Sequence, residues 1–198
     1  MRFLVAIVVT VMLAACGPRL VQTDVTRFTA SPSGPAPGTV TIVPTPDQRG
    51  SLEFQSYAEM VAQELSQQGF QPVPADTVPP PAYEVRLGWG VNDPVTEIHS
   101  SPGTVFGGTS VFGSRSGFGL GIGIPLGHDT RIDSTTAYPK WLQVRMWAAG
   151  GESVFEGRAV TEALGASVQP AMPYLIEAVF TNFPGRSGTT ERVRIPQR

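Results

Sequence analysis

The two histidines of the 198-residue chain, His99 and His128, stand on either side of its most glycine-rich stretch. Glu97 lies two positions before the first, and Asp129 directly follows the second. A fold-back of that stretch into a hairpin would bring the four side chains together at its base, as mixed nitrogen and oxygen ligands of a kind zinc accepts. Polar residues also gather at loop bases because water is there, and the expectation is no bound metal and no cofactor. Cys16 is the only cysteine. A thiolate is far more nucleophilic than a hydroxyl, so thiol chemistry is confined to one position and no disulfide can close within the chain. Serines are plentiful, but no G-x-S-x-G elbow presents one of them. No carboxylate pair is singled out for glycoside cleavage. The glycines of residues 103–127 match neither GxGxxG nor a P-loop, so no phosphate cradle is expected. These motifs give no reason to expect an enzyme.

Cys16 has a different use. Met1 and Arg2 make a short positive start, and residues 3–13 form an almost unbroken apolar run. A bilayer span needs about 20 apolar residues, so this run matches a secretory signal instead. It leads into Leu13-Ala14-Ala15-Cys16, which resembles the lipobox of bacterial lipoproteins. That resemblance makes residues 1–15 a cleaved signal and Cys16 the lipid-bearing first residue of the mature chain. Each buried acyl methylene contributes about 0.8 kcal/mol, so two or three chains hold a protein to a membrane durably. Gly17, rather than Asp, follows the cysteine. By resemblance to enteric sorting rules this points to the periplasmic face of the outer membrane, with the inner membrane as the other destination.

Formal net charge is -2, and the basic residues are spread thinly along the sequence. Nucleic-acid binding needs a concentrated positive face, and polybasic attraction to lipid needs a cluster; neither is expected. Glycine (22) and proline (19) are frequent enough to imply long loops.

The remaining pattern is that of a scaffold. Residues 20–28 and 39–43 are rich in β-branched types and read as strands, with an irregular Ser/Pro/Gly connection at 31–38. Ser51 reads as a helix cap, and Phe54, Tyr57, Ala58, Val61, Ala62 and Leu65 recur at helical spacing until Gly69. After a proline-rich loop at 72–82, Tyr83, Val85, Leu87, Trp89 and Val91 alternate with small or polar residues, the period of a half-buried strand. Leu142, Val144 and Met146 alternate likewise, Gly150-Gly151 turns the chain, and residues 153–161 return as a hairpin partner. Ser167 reads as the cap of a second helix with Met172, Ile176, Val179, Phe180 and Phe183 on its apolar stripe, ended by Pro184-Gly185. Val193 and Ile195 mark a last strand. The fold class expected is α+β: a mainly antiparallel β-sheet with two α-helices on one face. Residues 16–38 carry the lipidated N-terminus, first strand and Pro-rich connection, and residues 39–198 complete one domain. Its glycine-rich insert, residues 101–128, reads either as a loop or as a hairpin. In it Phe118, Leu120, Ile122, Ile124 and Leu126 alternate with glycines and Pro125, giving a strand with one bare face.

The segment from Trp141 to Trp147, followed by Val154-Phe155-Glu156-Gly157-Arg158-Ala159, resembles the paired strands of the exported lipoproteins grouped as domain of unknown function 4136. In that family a leucine-x-valine strand, a turn and a valine-tryptophan-x-glycine strand precede a helix ending in Phe-Pro. Phe155 stands where tryptophan is commoner, and Phe183-Pro184 keeps the helix ending. The resemblance implies an envelope lipoprotein without an established activity, and no site residues come with it. The expected function is that of a lipid-anchored, non-catalytic structural or binding module. Its partners would be the membrane and either another envelope protein or a second copy, met through exposed strand edges or a groove beside the helices. The alternative is an oligomer that perturbs or crosses the membrane with the glycine-rich hairpin, whose second arm would carry Val105, Phe106, Val111 and Phe112.

Overall fold

The computed structural model describes residues 19–102 and 130–198. The export signal, Cys16, and residues 103–129 of the insert, with His128 and Asp129, lie outside the described residues. The described residues fall into two compact units, residues 19–94 with 138–198 in one and residues 95–102 with 130–137 in the other.

The first unit holds a seven-stranded sheet. Its strands are β1 (Leu20–Thr29), β2 (Thr39–Ile42), β3 (Gln71–Pro72), β4 (Tyr83–Val91), β7 (Lys140–Ala148), β8 (Ser153–Thr161) and β9 (Thr189–Pro196). Across the sheet they lie in the order β3-β2-β4-β7-β8-β1-β9. Four neighbouring pairs, β4 with β7, β7 with β8, β8 with β1 and β1 with β9, are antiparallel. β2 runs parallel to both β3 and β4, so the sheet is mixed where a mainly antiparallel one was expected. The cause is the intervening helix α1 (Leu52–Gln67). A tight turn reverses a strand, whereas a helical crossover returns the chain in the same direction.

Both helices cover one face. Ser51 caps α1, its hydroxyl accepting from the Phe54 amide at 3.2 Å, and Phe54, Tyr57, Val61 and Leu65 are its buried residues. This is the stripe that the spacing indicates. Helix α2 (Met172–Phe180) is shorter at both ends than the sequence pattern indicates. Ser167 does not cap it; the Ser167 hydroxyl bonds Gln169, and a 3-10 turn at Gln169–Ala171 precedes the helix. Pro173 explains the late start, because proline fits only within a helix's first turn. At the other end α2 stops before Phe183. That ring still packs into the core, its centroid 4.9 Å from Phe155 and 5.8 Å from Phe180.

The β7–β8 hairpin forms as expected. The Gly151 amide donates to the Ala148 carbonyl at 2.8 Å, and Gly151 takes φ +87°, open to glycine at little cost. Gly157, on the covered face of β8, serves another purpose. A Cβ there would lie 2.9 Å from Val179 Cγ1 and 3.0 Å from the Phe155 ring. Glycine at 157 is what lets α2 settle onto the strand. The family motif's glycine therefore has a packing reason.

The second unit contains β5 (Val95–Pro102) paired antiparallel with β6 (Thr130–Ala137). In the register of that pair, Thr135 stands directly opposite Glu97, and Asp133 opposite His99.

Candidate binding surface

Strand alternation sends Leu142, Val144, Met146, Phe155, Ala159, Val193 and Ile195 under the helices, where all are buried. It must send the residues between them to the opposite face. No helix of the described residues covers that face.

Register fixes how its side chains line up. Gly90 pairs with Trp141, Gly88 with Gln143, Arg86 with Arg145, and Glu84 with Trp147 across β4 and β7. Across β7 and β8, Gln143 pairs with Arg158 and Arg145 with Glu156. Asp24 on β1 then stands opposite Arg192 on β9. Each indole has an arginine over it: the Arg158 guanidinium lies 5.0 Å from the Trp141 ring centroid, and that of Arg86 lies 5.3 Å from Trp147. Such cation–π contacts are worth about 0.5–1 kcal/mol at exposed sites. Trp141 lies across the two glycines of β4. Its ring atoms come within 3.5 Å of where a Gly88 Cβ would be and within 3.1 Å of a Gly90 Cβ. The layers are thus bare backbone, then indole, then guanidinium.

A strand irregularity between Met146 and Trp147 breaks the register there, a device that re-aims a side chain at a sheet margin. Trp147 lines a groove of about 520 Å³ together with Thr41, Glu84, Arg86, Pro80 and Pro81. The proline-rich loop thereby gains a role as a rim.

Five arginines, Arg86, Arg145, Arg158, Arg192 and Arg194, share this face with Asp24, Glu84 and Glu156, and Glu162 lines the hollow beside Asp24 and Arg192 at its margin. The chain as a whole carries -2, so the face is locally basic on an acidic protein. Glu84 pairs with Arg86 at 2.6 Å, Asp24 with Arg192 at 2.8 Å, and Glu156 stands 4.0 Å from Arg145. The hydrogen bond from Arg192 holds the Asp24 carboxyl below its ordinary pKa. Among the described residues, Arg158 and Arg194 have no carboxylate partner.

Two other buried cations are structural. Arg27 donates from Nε to the Val179 carbonyl at 3.0 Å and from Nη2 to the Ala178 and Thr181 carbonyls at 2.7 Å each, and its Nη1 pairs with Glu191 at 3.1 Å. It satisfies carbonyls at and just beyond the end of α2 that have no partner within the helix, where the chain leaves helical geometry at Thr181, with ψ 125°, and Asn182, with φ +56°. Lys140 donates to the Ala163 carbonyl at 2.7 Å, and burial lowers its pKa from the ordinary value.

The groove between the helices also exists, with Met60, Glu64, Pro173, Ile176 and Glu177 in its lining and about 320 Å³ of space. Burial, and then the neighbouring Glu177, push the Glu64 carboxyl up, while Arg198 reaches Glu177 at 2.8 Å. The outer edge strand β9 presents Arg192, Arg194 and Pro196, residue types that discourage strand addition.

Of the four metal candidates, the structure describes only Glu97 and His99. Glu97 and His99 belong to the second unit, and His128 and Asp129 fall outside the described region. Among the described residues there is no group of three His, Cys, Asp or Glu positioned to hold a metal ion. No described helix is long and apolar enough to cross a membrane.

Sequence reasoning missed Arg86, Trp141, Trp147 and Arg158 as a set. The signal was present: extending the alternation of residues 142–146 by one place each way puts both tryptophans on the side of Gln143 and Arg145.

No curated protein matches the chain. Among solved structures, a PDZ domain protein from Parabacteroides distasonis is similar over 94% of this chain and 41% of that one, at 9% identity and a TM-score of 0.49. The chain therefore spans less than half the length of that protein. The sequence profile of the domain of unknown function DUF4136 matches residues 24–185, taking in both helices and every strand of the large sheet except β9, with β1 in part. The chain belongs to the DUF4136 family.

Proposed function

We propose that the protein is a lipid-anchored, non-catalytic binding module of the cell envelope, held at the periplasmic face of the outer membrane through Cys16, and that the open face of its sheet receives the partner. The observation that carries this reading is the arginine-over-indole pairing repeated on that face. Burying a sheet on one side is enough for stability, and the uncovered side of such a sheet ordinarily carries small and polar residues. Two tryptophans there, one flanked by a proline-walled groove, are large contact groups of the kind that dominate binding energies.

Two experiments test the two halves. A photo-crosslinking residue at Gln143, at the centre of the open face, should capture one recurrent envelope component in intact cells, whereas the same residue at Gln63 on α1 should not. Equal capture from both positions, or only abundant bystanders from Gln143, would count against the open face. Cys16→Ser should move the protein out of the membrane fraction. Persistent attachment of that variant would assign anchoring to another part of the chain.

A further inference from the structure

We propose that the occupant of the open face is an acidic polysaccharide, its carboxylates held between Arg86 and Arg145 and its sugar rings laid along the sheet beside Trp147. The inference rests on the reading that this face is the contact surface.

Arg86 and Arg145 are direct cross-strand partners on one face. Like charges in that position destabilise a sheet, and the carboxylates beside them, Glu84 at 2.6 Å from Arg86 and Glu156 at 4.0 Å from Arg145, are exposed and offset this only in part. Departures from local rules of this kind are expected where a site is built for a ligand. An anion between the two guanidiniums converts the repulsion into two charge-assisted contacts. Arg158 lies on the adjoining strand, two residues along from the partner of Arg145, so a third cation continues the row.

The indoles select what carries the anion. Behind Arg86 and Arg158 they exclude water from one side of each guanidinium while leaving its edge donors for a planar carboxylate. Pyranose rings present C–H groups of slight positive charge, which suit the negative face of the Phe28 ring, 54% exposed on the same side. The site is long and shallow, running from the groove by Trp147 across β7 and β8, and so fits an extended chain rather than a compact small molecule. Nucleic acid is disfavoured because its phosphates are packed far more densely than one charge per sugar ring, and arginines interrupted by carboxylates match the sparser chain. A strand from another protein would need an edge, and this is a face.

The test uses the detergent-solubilised full chain and tryptophan fluorescence, titrated with an oligomer of galacturonic acid. A neutral galactose oligomer, polyglutamate and a thymidine oligonucleotide are the comparisons. The galacturonate oligomer should bind at least tenfold more tightly than each of the three. Arg145→Gln and Trp147→Ala should each weaken it at least tenfold. Arg145→Gln should also raise the midpoint of thermal unfolding, since it removes the like-charge pair; a group with a merely structural role would lower it. Absence of galacturonate binding overturns the proposal, as does equal binding of polyglutamate, which lacks rings, or of the neutral oligomer, which lacks charge. Preference for the oligonucleotide overturns it in favour of a nucleic acid. If the titration fails while crosslinks from Gln143 persist, the glycan falls and the open-face reading stands; if the crosslinks fail as well, both fall.

Discussion

The two faces of the seven-stranded sheet use the same residue types for opposite ends. On the covered face, Gly157 leaves room for Val179 of a helix. On the open face, Gly88 and Gly90 leave room for the indole of Trp141 from the neighbouring strand. Arg27 is buried on the covered side, with carbonyls and Glu191 around its guanidinium. Arg158, on the open side, lies over an indole and faces water. The difference lies in what has already been satisfied. Covered-face groups are spoken for by the fold, whereas the open-face groups keep donors and ring surface in reserve.

The largest expected effect lies with Arg27. Arg27→Met leaves carbonyls at the end of α2 unpartnered, at about 1–3 kcal/mol for each buried group left unsatisfied, while Glu191, about half exposed, loses its cation at little further cost. Urea unfolding should show a loss of that order. Arg158→Met, the same chemical change on the other face, should cost less than about 1 kcal/mol. Similar losses for the two variants would break the distinction between arginines bound into the fold and arginines held in reserve.

Gly157→Ala comes next. The added methyl meets Val179 Cγ1 at 2.9 Å, and overpacking of this kind costs about 1–3 kcal/mol. Because the closest part of the clash is with Val179, the Phe155 ring following at 3.0 Å, Gly157→Ala and Val179→Ala together should cost less than the sum of the two measured alone. Strict additivity in the double variant would mean that the helix position is set elsewhere.

These residues also mark how far the sequence could be read. Helix α1 and the β7–β8 hairpin were legible because Ser51, the 3.6-residue stripe and Gly150-Gly151 are local signals. The end of α2 was legible only to within a few residues: the chain leaves the helix at Thr181 and Asn182, and the carbonyls this frees are satisfied by Arg27, about 150 positions away along the chain. The parallel pairing of β2 was hidden for a related reason: alternation says which face a residue occupies but not which strand lies beside it. The open-face site was half legible. Alternation places Trp141, Trp147, Arg145 and Arg158 on one side, yet the Arg86–Arg145 pairing depends on a register that only the folded sheet supplies.

Titration separates the faces from opposite ends of the pH scale. Tyr57, on the covered side, donates to Glu53 at 2.8 Å, and burial raises its phenol pKa above the ordinary value of 10. The folded state then holds a proton that the unfolded state releases, so stability present below pH 10 is lost as pH climbs above it. Tyr57→Phe should cost about 0.5–1.5 kcal/mol at neutral pH, and the deficit should shrink above pH 10. Asp24 works in the other direction on the open face. Its lowered pKa gives a contribution that is present above about pH 4 and is lost on acidification through the folded value. Asp24→Asn should flatten that acid limb only slightly, because the pair with Arg192 is exposed and screened. An acid limb dominated by Asp24 would show that the open face is tied into the fold no less than the covered one.

The smallest effect is the most pointed test. A Cβ at Gly88 would meet Trp141 Cζ3 at 3.5 Å, an ordinary contact, whereas at Gly90 it would meet the indole at 3.1 Å. The obstacle in both cases is a side chain with solvent beyond it, free to tilt, unlike the helix above Gly157. Gly88→Ala should therefore change stability by no more than about 0.5 kcal/mol, with Gly90→Ala between it and Gly157→Ala. Both should still alter the fluorescence of Trp141, because its floor has risen. A stability loss at Gly88 as large as that at Gly157 would mean that the indole is locked in place as firmly as a helix, and an indole so locked could not yield its surface to a partner.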